Sequence, residues 1–158
     1  MRALLQRVRR AAVRVPPLPG RGLDATDEVI GEIGPGMVVL LGVGVEDTPH
    51  AAQVLAGRVA HLRIFADDRG RLNRSILDSG GQVLSVSQFT LYADTSGGRR
   101  PSFVGAAPPE EAEPLYREFN RALEALGVHV VVGRFRAHMI VEIHNDGPVT
   151  ILLDSPGS

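Results

Sequence analysis

The spacing of apolar and polar positions changes repeatedly along this chain, and each change marks an element. Residues 1–15 alternate loosely, with Arg7, Arg9, Arg10 and Arg14 interspersed, which predicts a strand. Pro16–Asp27 breaks the pattern. The run Pro-Pro-Leu-Pro-Gly-Arg-Gly-Leu-Asp cannot keep regular structure, so an exposed, mobile inserted loop in a hairpin is expected over 16–27. Val29–Ile33 resumes the strand, Gly34-Pro-Gly36 turns it, and the apolar run Met37–Val45 predicts a buried strand. Thr48-Pro49 is a helix start, and Val54, Leu55, Val59 and Leu62 then fall on one face. After a turn at Asp67–Gly70, Gln82–Tyr92 is expected as one strand, and Thr95–Arg100 as a loop. Pro108–Leu126 carries a second apolar face at Leu115, Phe119, Leu123 and Leu126, and Gly127 ends it. Pro114 suggests that the regular part of this helix begins late. Val128–Val132, Met139–His144 and Val149–Leu153 read as three further strands.

Strands outnumber helices and do not alternate with them. The expectation is an α+β fold: a largely antiparallel sheet or barrel with two main helices, in a single domain. At 158 residues the chain is long enough to bury a core, and no repeat or domain boundary is visible.

The segment Asn145-Asp-Gly-Pro-Val-Thr150 lies between two of these strands. Proline has no N–H to give a sheet ladder, and Asn-Asp-Gly-Pro is good turn chemistry, so one reading is a plain hairpin turn. The other is a cis Gly147-Pro148 peptide that holds two carbonyl oxygens in a rigid arrangement. A second unusual segment, Ser87-Gln-Phe-Thr-Leu91, sets polar residues near the end of an otherwise apolar strand. Buried hydroxyls and amides ordinarily satisfy backbone groups. The alternative is a site at the strand end, with Thr90 and nearby N–H groups around a reacting carbonyl.

Composition removes several chemistries. There is no Cys, so disulfides, thiolate metal sites and Cys nucleophiles are excluded. The net charge of −1 provides no overall field toward nucleic acid or membrane. All 17 basic residues are Arg, which reads as codon bias rather than function. The N-terminus lacks a signal-like apolar run and nothing approaches a membrane span, so a cytoplasmic protein with no membrane association is expected. Gly42-Val-Gly44 follows an apolar strand but lacks the third glycine of a dinucleotide fingerprint. His138, Glu142 and His144 share a strand face and could bind zinc. The opposite face, Met139, Val141 and Ile143, looks like core, so the histidine face is read as solvent and no metal is expected. His61 and His129 have no evident acid partner for a catalytic triad. Arg99-Arg100-Pro101-Ser102-Phe103 combines guanidinium groups with a ring, as suits phosphate contact and base stacking or simply a solvated loop.

Taken together, Ser87-Gln-Phe-Thr-Leu91 and Asn145-Asp-Gly-Pro-Val-Thr150 resemble the two signature motifs of the D-aminoacyl-tRNA deacylase family. Met1–Val8, Gly31–Gly36, Leu62–Phe65 and Gly98–Phe103 support the likeness, which runs over residues 1–154 and leaves 155–158 as a tail. The chain departs from the family in the 16–27 insertion. It departs again at Arg134-Phe-Arg-Ala-His-Met139, which stands where a Gly-Phe-Gly-Ala-Asp-Met-like run is usual; Phe135 and Met139 match, Arg136 and His138 do not.

The resemblance implies a homodimeric β-barrel that hydrolyses the ester between a D-amino acid, or mischarged glycine, and the 3′ end of tRNA, with no cofactor. It implies an active site at the subunit interface, in which a cis Gly147-Pro148 of one subunit excludes L side chains from the other's pocket. Ser87, Phe135 and Met139 would complete that pocket. Gln88, Phe89 and Thr90 would be the catalytic segment, with backbone N–H groups near Ser87–Phe89 holding the carbonyl, Thr90 positioning, and the tRNA's own 2′-OH assisting water. Arg99, Arg100 and Phe103 would contact tRNA. The rivals are a non-enzymatic dimeric RNA-binding barrel and an L-aminoacyl or peptidyl ester hydrolase on the same scaffold.

Overall fold

The computed structural model describes residues 1–17 and 26–155. Most of the expected Pro16–Asp27 loop, and residues 156–158 of the expected tail, lie outside the described residues. The spine is strand β1 (Arg2–Val15), which is antiparallel to everything it pairs with. Along one edge it pairs first with β3 (Gly36–Gly42) and then with β2 (Glu28–Ile33); along the other it pairs with β8 (Ile140–Asp154). Strands β6 (Gln82–Ser87) and β7 (His129–Val132) extend the sheet beyond β3 in parallel. The α+β barrel expected from the sequence is therefore present, as a mixed and nearly closed sheet with antiparallel pairing throughout β1.

Parity explains why β3 is apolar on both faces. Met37, Val39 and Leu41 join Leu5, Leu55 and Phe119 in a core beneath the helices. Val38, one residue out of phase, joins Val8, Val13, Leu84 and Val86 inside the barrel. Helix α1 (Pro49–His61) starts as expected, the Thr48 hydroxyl accepting from the Ala51 N–H at 3.2 Å. Helix α3 (Pro109–Ala125) packs beside it, burying Tyr116, Phe119 and Leu123. A short hairpin, β4 (Phe65–Ala66) and β5 (Leu72–Arg74), and one helical turn, α2 (Ile76–Ser79), occupy the connection to β6. The pattern did not announce these three. Among the described residues, no helix is long and apolar enough to cross a membrane.

Five expectations need correction. Met37–Val45 leaves the sheet at Gly42, and the expected Gln82–Tyr92 strand ends at Ser87. The two endings are linked, because β6 pairs with β3 only up to Leu41↔Ser87. Beyond it Phe89–Tyr92 closes into a 3-10 turn. Helix α3 begins at Pro109, so Pro114 lies inside it rather than at a late start. Its missing N–H deprives only the Glu110 carbonyl, near the exposed helix start. Leu126 does not face the core: it caps the helix and is exposed. Finally, Met139–His144 and Val149–Leu153 are not two strands around a turn but parts of β8. Its register with β1 passes from Gln6↔Thr150 to Val8↔Asn145, so residues 146–149 form a bulge opposite Arg7. A bulge asks no ladder bond of Pro148, which is how the strand tolerates it.

Candidate active site

The polar end of β6 opens into a cavity of about 620 Å³. Ser87, Gln88, Phe89, Phe103, Phe135 and Met139, six of the residues singled out from the sequence, line it. They arrive from three places: the exit of β6, the loop before α3, and the turn between β7 and β8. Phe89 and Phe103 meet edge to face at 5.0 Å between ring centroids, joining two of these segments. Phe135 is held from behind by Tyr116 at 6.0 Å. The Tyr116 hydroxyl donates to the Ser85 carbonyl at 2.8 Å, fastening α3 to the strand that delivers Ser87. Burial pushes the Tyr116 phenol pKa up.

The 3-10 turn governs what this end of the site can do. The Gln88 N–H is engaged by the Leu41 carbonyl at 2.8 Å. The N–H groups of Phe89 and Thr90 meet no acceptor among the described residues. Thr90 itself is exposed and does not line the cavity; its hydroxyl accepts from the Gln88 side-chain amide. No carboxylate or imidazole is bonded to it, so nothing there would activate a hydroxyl nucleophile.

The turn is seated by a network with no local signature. Tyr92 Oη donates to Asp47 Oδ2 at 3.3 Å, and the same carboxylate oxygen accepts from the Gly44 N–H at 2.6 Å. Asp47 Oδ1 takes the buried N-terminal ammonium of Met1. The Arg2 guanidinium lies 4.6 Å from the Tyr92 ring centroid and donates to the Leu91 carbonyl at 2.9 Å. Burial first, and the Asp47 charge next, raise the Tyr92 pKa. Gly42-Val-Gly44, considered above as a nucleotide fingerprint, serves this packing instead. A Cβ at Gly44 would fall 2.7 Å from the Tyr92 hydroxyl and one at Gly42 3.1 Å from its ring.

The remaining candidates lie apart. Arg99 and Arg100 sit in an exposed loop closed by the Asp94↔Ser102 bridge, with no ion pair or hydrogen bond to any described residue. Gly147 and Pro148 are exposed on the β8 bulge, joined by a cis peptide, and line no part of this cavity. Asn145 secures the bulge. Its Nδ2 donates to the Arg7 carbonyl at 2.8 Å and the Val149 carbonyl at 3.1 Å, and its Oδ1 accepts from Thr150 Oγ1 at 3.2 Å. Arg7 pairs with Asp146 at 3.1 Å and donates to the Ile64 carbonyl at 2.7 Å. Glu142 and His144 are exposed on β8, as read from their alternation, but His138, also exposed, lies before the strand begins at Ile140; among the described residues no group of three or more such side chains could hold a metal. The cavity does take in Arg136 and His138, which sequence reasoning treated as departures from a pattern rather than as site residues.

Comparison with known proteins bears on this site. Residues 4–154 match the model of a family described as D-Tyr-tRNA(Tyr) deacylase. The chain is 58% identical over 155 residues to a D-aminoacyl-tRNA deacylase of Symbiobacterium thermophilum, covering 98% of this chain and 96% of that one. It is 55% identical over 156 residues to a D-aminoacyl-tRNA deacylase of Deinococcus deserti, covering 99% and 100%. A solved structure titled c-Myc DNA Unwinding Element Binding Protein superposes with a TM-score of 0.87 at 38% identity, over 99% of this chain and 100% of that one.

Proposed function

The chain belongs to the D-Tyr-tRNA(Tyr) deacylase family, and from that premise we propose that it hydrolyses the ester of D-aminoacyl-tRNA, releasing the free D-amino acid and tRNA. The observation that carries the reading is the convergence of Ser87, Gln88, Phe89, Phe135 and Met139 on one cavity at the end of β6. An aminoacyl ester is already activated, so holding it and stabilising the oxyanion is enough chemistry. The unclaimed N–H groups of Phe89 and Thr90 are the donors for that oxyanion, the Gln88 N–H being spent on Leu41. Water attacks the carbonyl, the terminal 2′-OH of the tRNA assists it, and the 3′ oxygen leaves with a proton. Thr90, tied to Gln88, positions the segment. No cofactor enters these steps.

Selection works by exclusion. A second copy of the chain brings the Gly147-Pro148 bulge to the cavity, and its backbone occupies the space an L side chain needs. A filter of this kind does not read the side chain, so achiral glycine passes and mischarged glycyl-tRNA is also a substrate. Arg99, Arg100 and Phe103 hold the single-stranded 3′ end by phosphate contact and stacking, and the setting is the cytoplasm, where charged tRNA is used.

The test is a matched pair, D-tyrosyl-tRNA and L-tyrosyl-tRNA, each followed for ester loss with and without EDTA. Loss of the D-ester alone, insensitive to chelator, is expected. Equal rates on both, or inactivation by EDTA that zinc reverses, would refute the reading. Tight binding of single-stranded RNA with no ester loss would favour a non-enzymatic barrel.

A further inference from the structure

Arg136 is the one described residue other than glycine with a positive φ, 60°. An L side chain is disfavoured in that region, so the conformation works against folding unless something at the site uses it. The residue sits in the tight connection after β7, where the Ala137 N–H bonds the Arg134 carbonyl at 3.2 Å, and it lines the cavity between Phe135 and His138. Its guanidinium makes no ion pair or hydrogen bond with any described residue. Neighbouring Arg134, by contrast, is paired with Glu28 at 3.0 Å. A fixed cation, unpaired, therefore stands on the wall of a cavity that is otherwise apolar or uncharged apart from His138.

The two ends of an aminoacyl-tRNA terminus differ in charge. The aminoacyl end carries an ammonium and the nucleotide end carries phosphodiesters. A guanidinium repels the first and attracts the second. The Ser87–Phe89 segment offers only hydroxyl, amide and N–H groups, which suit an ester carbonyl. We infer that Arg136 is a specificity residue that sets the direction of the substrate in the cavity, pairing with a phosphodiester of the tRNA 3′ end so that the ester reaches Phe89 and Thr90. This rests on the deacylase reading above and adds to it a residue and a polarity.

The experiment uses the full-length protein and two substrates, D-tyrosyl-tRNA and 3′-O-D-tyrosyl-adenosine, which has no phosphate. Arg136→Gly should raise KM for D-tyrosyl-tRNA about tenfold, the loss of one charge-assisted contact. The slope of log(1/KM) on log salt should become shallower by about 0.7. KM for the nucleoside ester should not rise. Because glycine accepts φ 60° freely, the same variant should melt about 2–4 °C higher, so weaker binding cannot be blamed on unfolding. Arg136→Ala, which keeps an L residue at that φ, should lose the same affinity without gaining stability. Arg136→Lys should recover part of it. An unchanged KM in Arg136→Gly, or an equal rise on both substrates, overturns the assignment while leaving the deacylase reading intact. A wild-type protein that releases D-tyrosine from neither substrate overturns both.

Discussion

Asn145 is the side chain on which the β8 bulge depends, and its replacement by alanine is the sharpest structural perturbation available away from the cavity. One side chain here does the work of the missing ladder. It supplies donors to the carbonyls of Arg7 and Val149, at 2.8 and 3.1 Å, and an acceptor to Thr150 at 3.2 Å. Alanine removes all three interactions. Thr150 is exposed and water replaces its partner, so that bond counts for little. The two carbonyls sit where β1 and β8 are out of register, and losing a hydrogen bond to each at about 1 kcal/mol, with some desolvation left uncompensated, gives about 2–3 kcal/mol. For a chain of this size that is a fall in Tm of about 4–10 °C. The functional consequence is separate and more telling. If the bulge acts as an exclusion device, loosening it should admit L-esters before it harms D-ester hydrolysis. The assay is the ratio of D-tyrosyl- to L-tyrosyl-tRNA hydrolysis, measured well below the new Tm. The expected result is a ratio reduced at least tenfold with the D-rate within about threefold of wild type, since Asn145 is not among the residues that line the cavity. A full Tm loss with an unchanged ratio would show that the bulge is structural only, and an unchanged Tm would show that the three bonds carry no net weight.

Three other perturbations follow from the same geometry. Thr90→Ala should retain substantial activity, because the loss is one exposed hydrogen bond to Gln88, whereas replacing the substrate's terminal 2′-OH by hydrogen should nearly abolish turnover; the opposite order would make Thr90 the nucleophile. Phe103→Ala removes the edge-to-face contact with Phe89 at 5.0 Å and should raise KM for D-tyrosyl-tRNA, with kcat and the D/L ratio preserved; a kcat loss alone would place Phe103 outside substrate binding. Tyr116→Phe should cost about 1–2 kcal/mol through the lost bond to Ser85. Because burial raises the folded-state pKa of Tyr116 above its unfolded value, the stability this phenol contributes is complete below about pH 10 and lost as pH rises toward the folded pKa. Urea midpoints for the wild type should therefore fall above that pH, and fall less in Tyr116→Phe; parallel curves would refute the shift.

What the sequence disclosed and what it withheld divide along a physical line. Local signals read well: the Thr48 cap, the Gly127 stop, the apolar run of β3, and the outward alternation of Glu142 and His144 all survive in the structure, while His138 falls outside the strand. Ser87, Gln88 and Phe89 were also legible, because polar groups at the end of an apolar strand stand out; Phe103 was marked only by its two arginine neighbours, and Phe135 and Met139 only by the family resemblance. What failed depended on partners distant in sequence. Phe89–Tyr92 has strong strand propensity, yet it leaves the sheet because β3 ends at Gly42 and offers nothing further to pair with. Asn145–Thr150 has the chemistry of a turn, but pairing with β1 on both sides keeps the strand running through it. Asp47 and Tyr92 meet across more than forty positions with no motif to announce them. Arginine itself foretells no left-handed backbone at position 136; the one hint was that the resembling family usually has glycine there.

The position of the bulge leads to a last prediction. Val141 lines the cavity, and Gly147 lies six residues along the same strand, roughly 20 Å away at strand rise. Within one chain the proposed filter and the proposed reaction site cannot meet. A filter role for Gly147-Pro148 is therefore also a statement about association: it requires a second copy that carries its own bulge to the first chain's cavity. Chirality should then depend on concentration in a way that ester cleavage need not. Diluting the protein until light scattering shows only monomer should reduce the D/L ratio in step with any loss of dimer. If the ratio holds constant in a protein shown to be monomeric, the bulge is not the filter. Discrimination would then have to arise from the walls of the cavity itself, among Phe89, Phe135 and Met139.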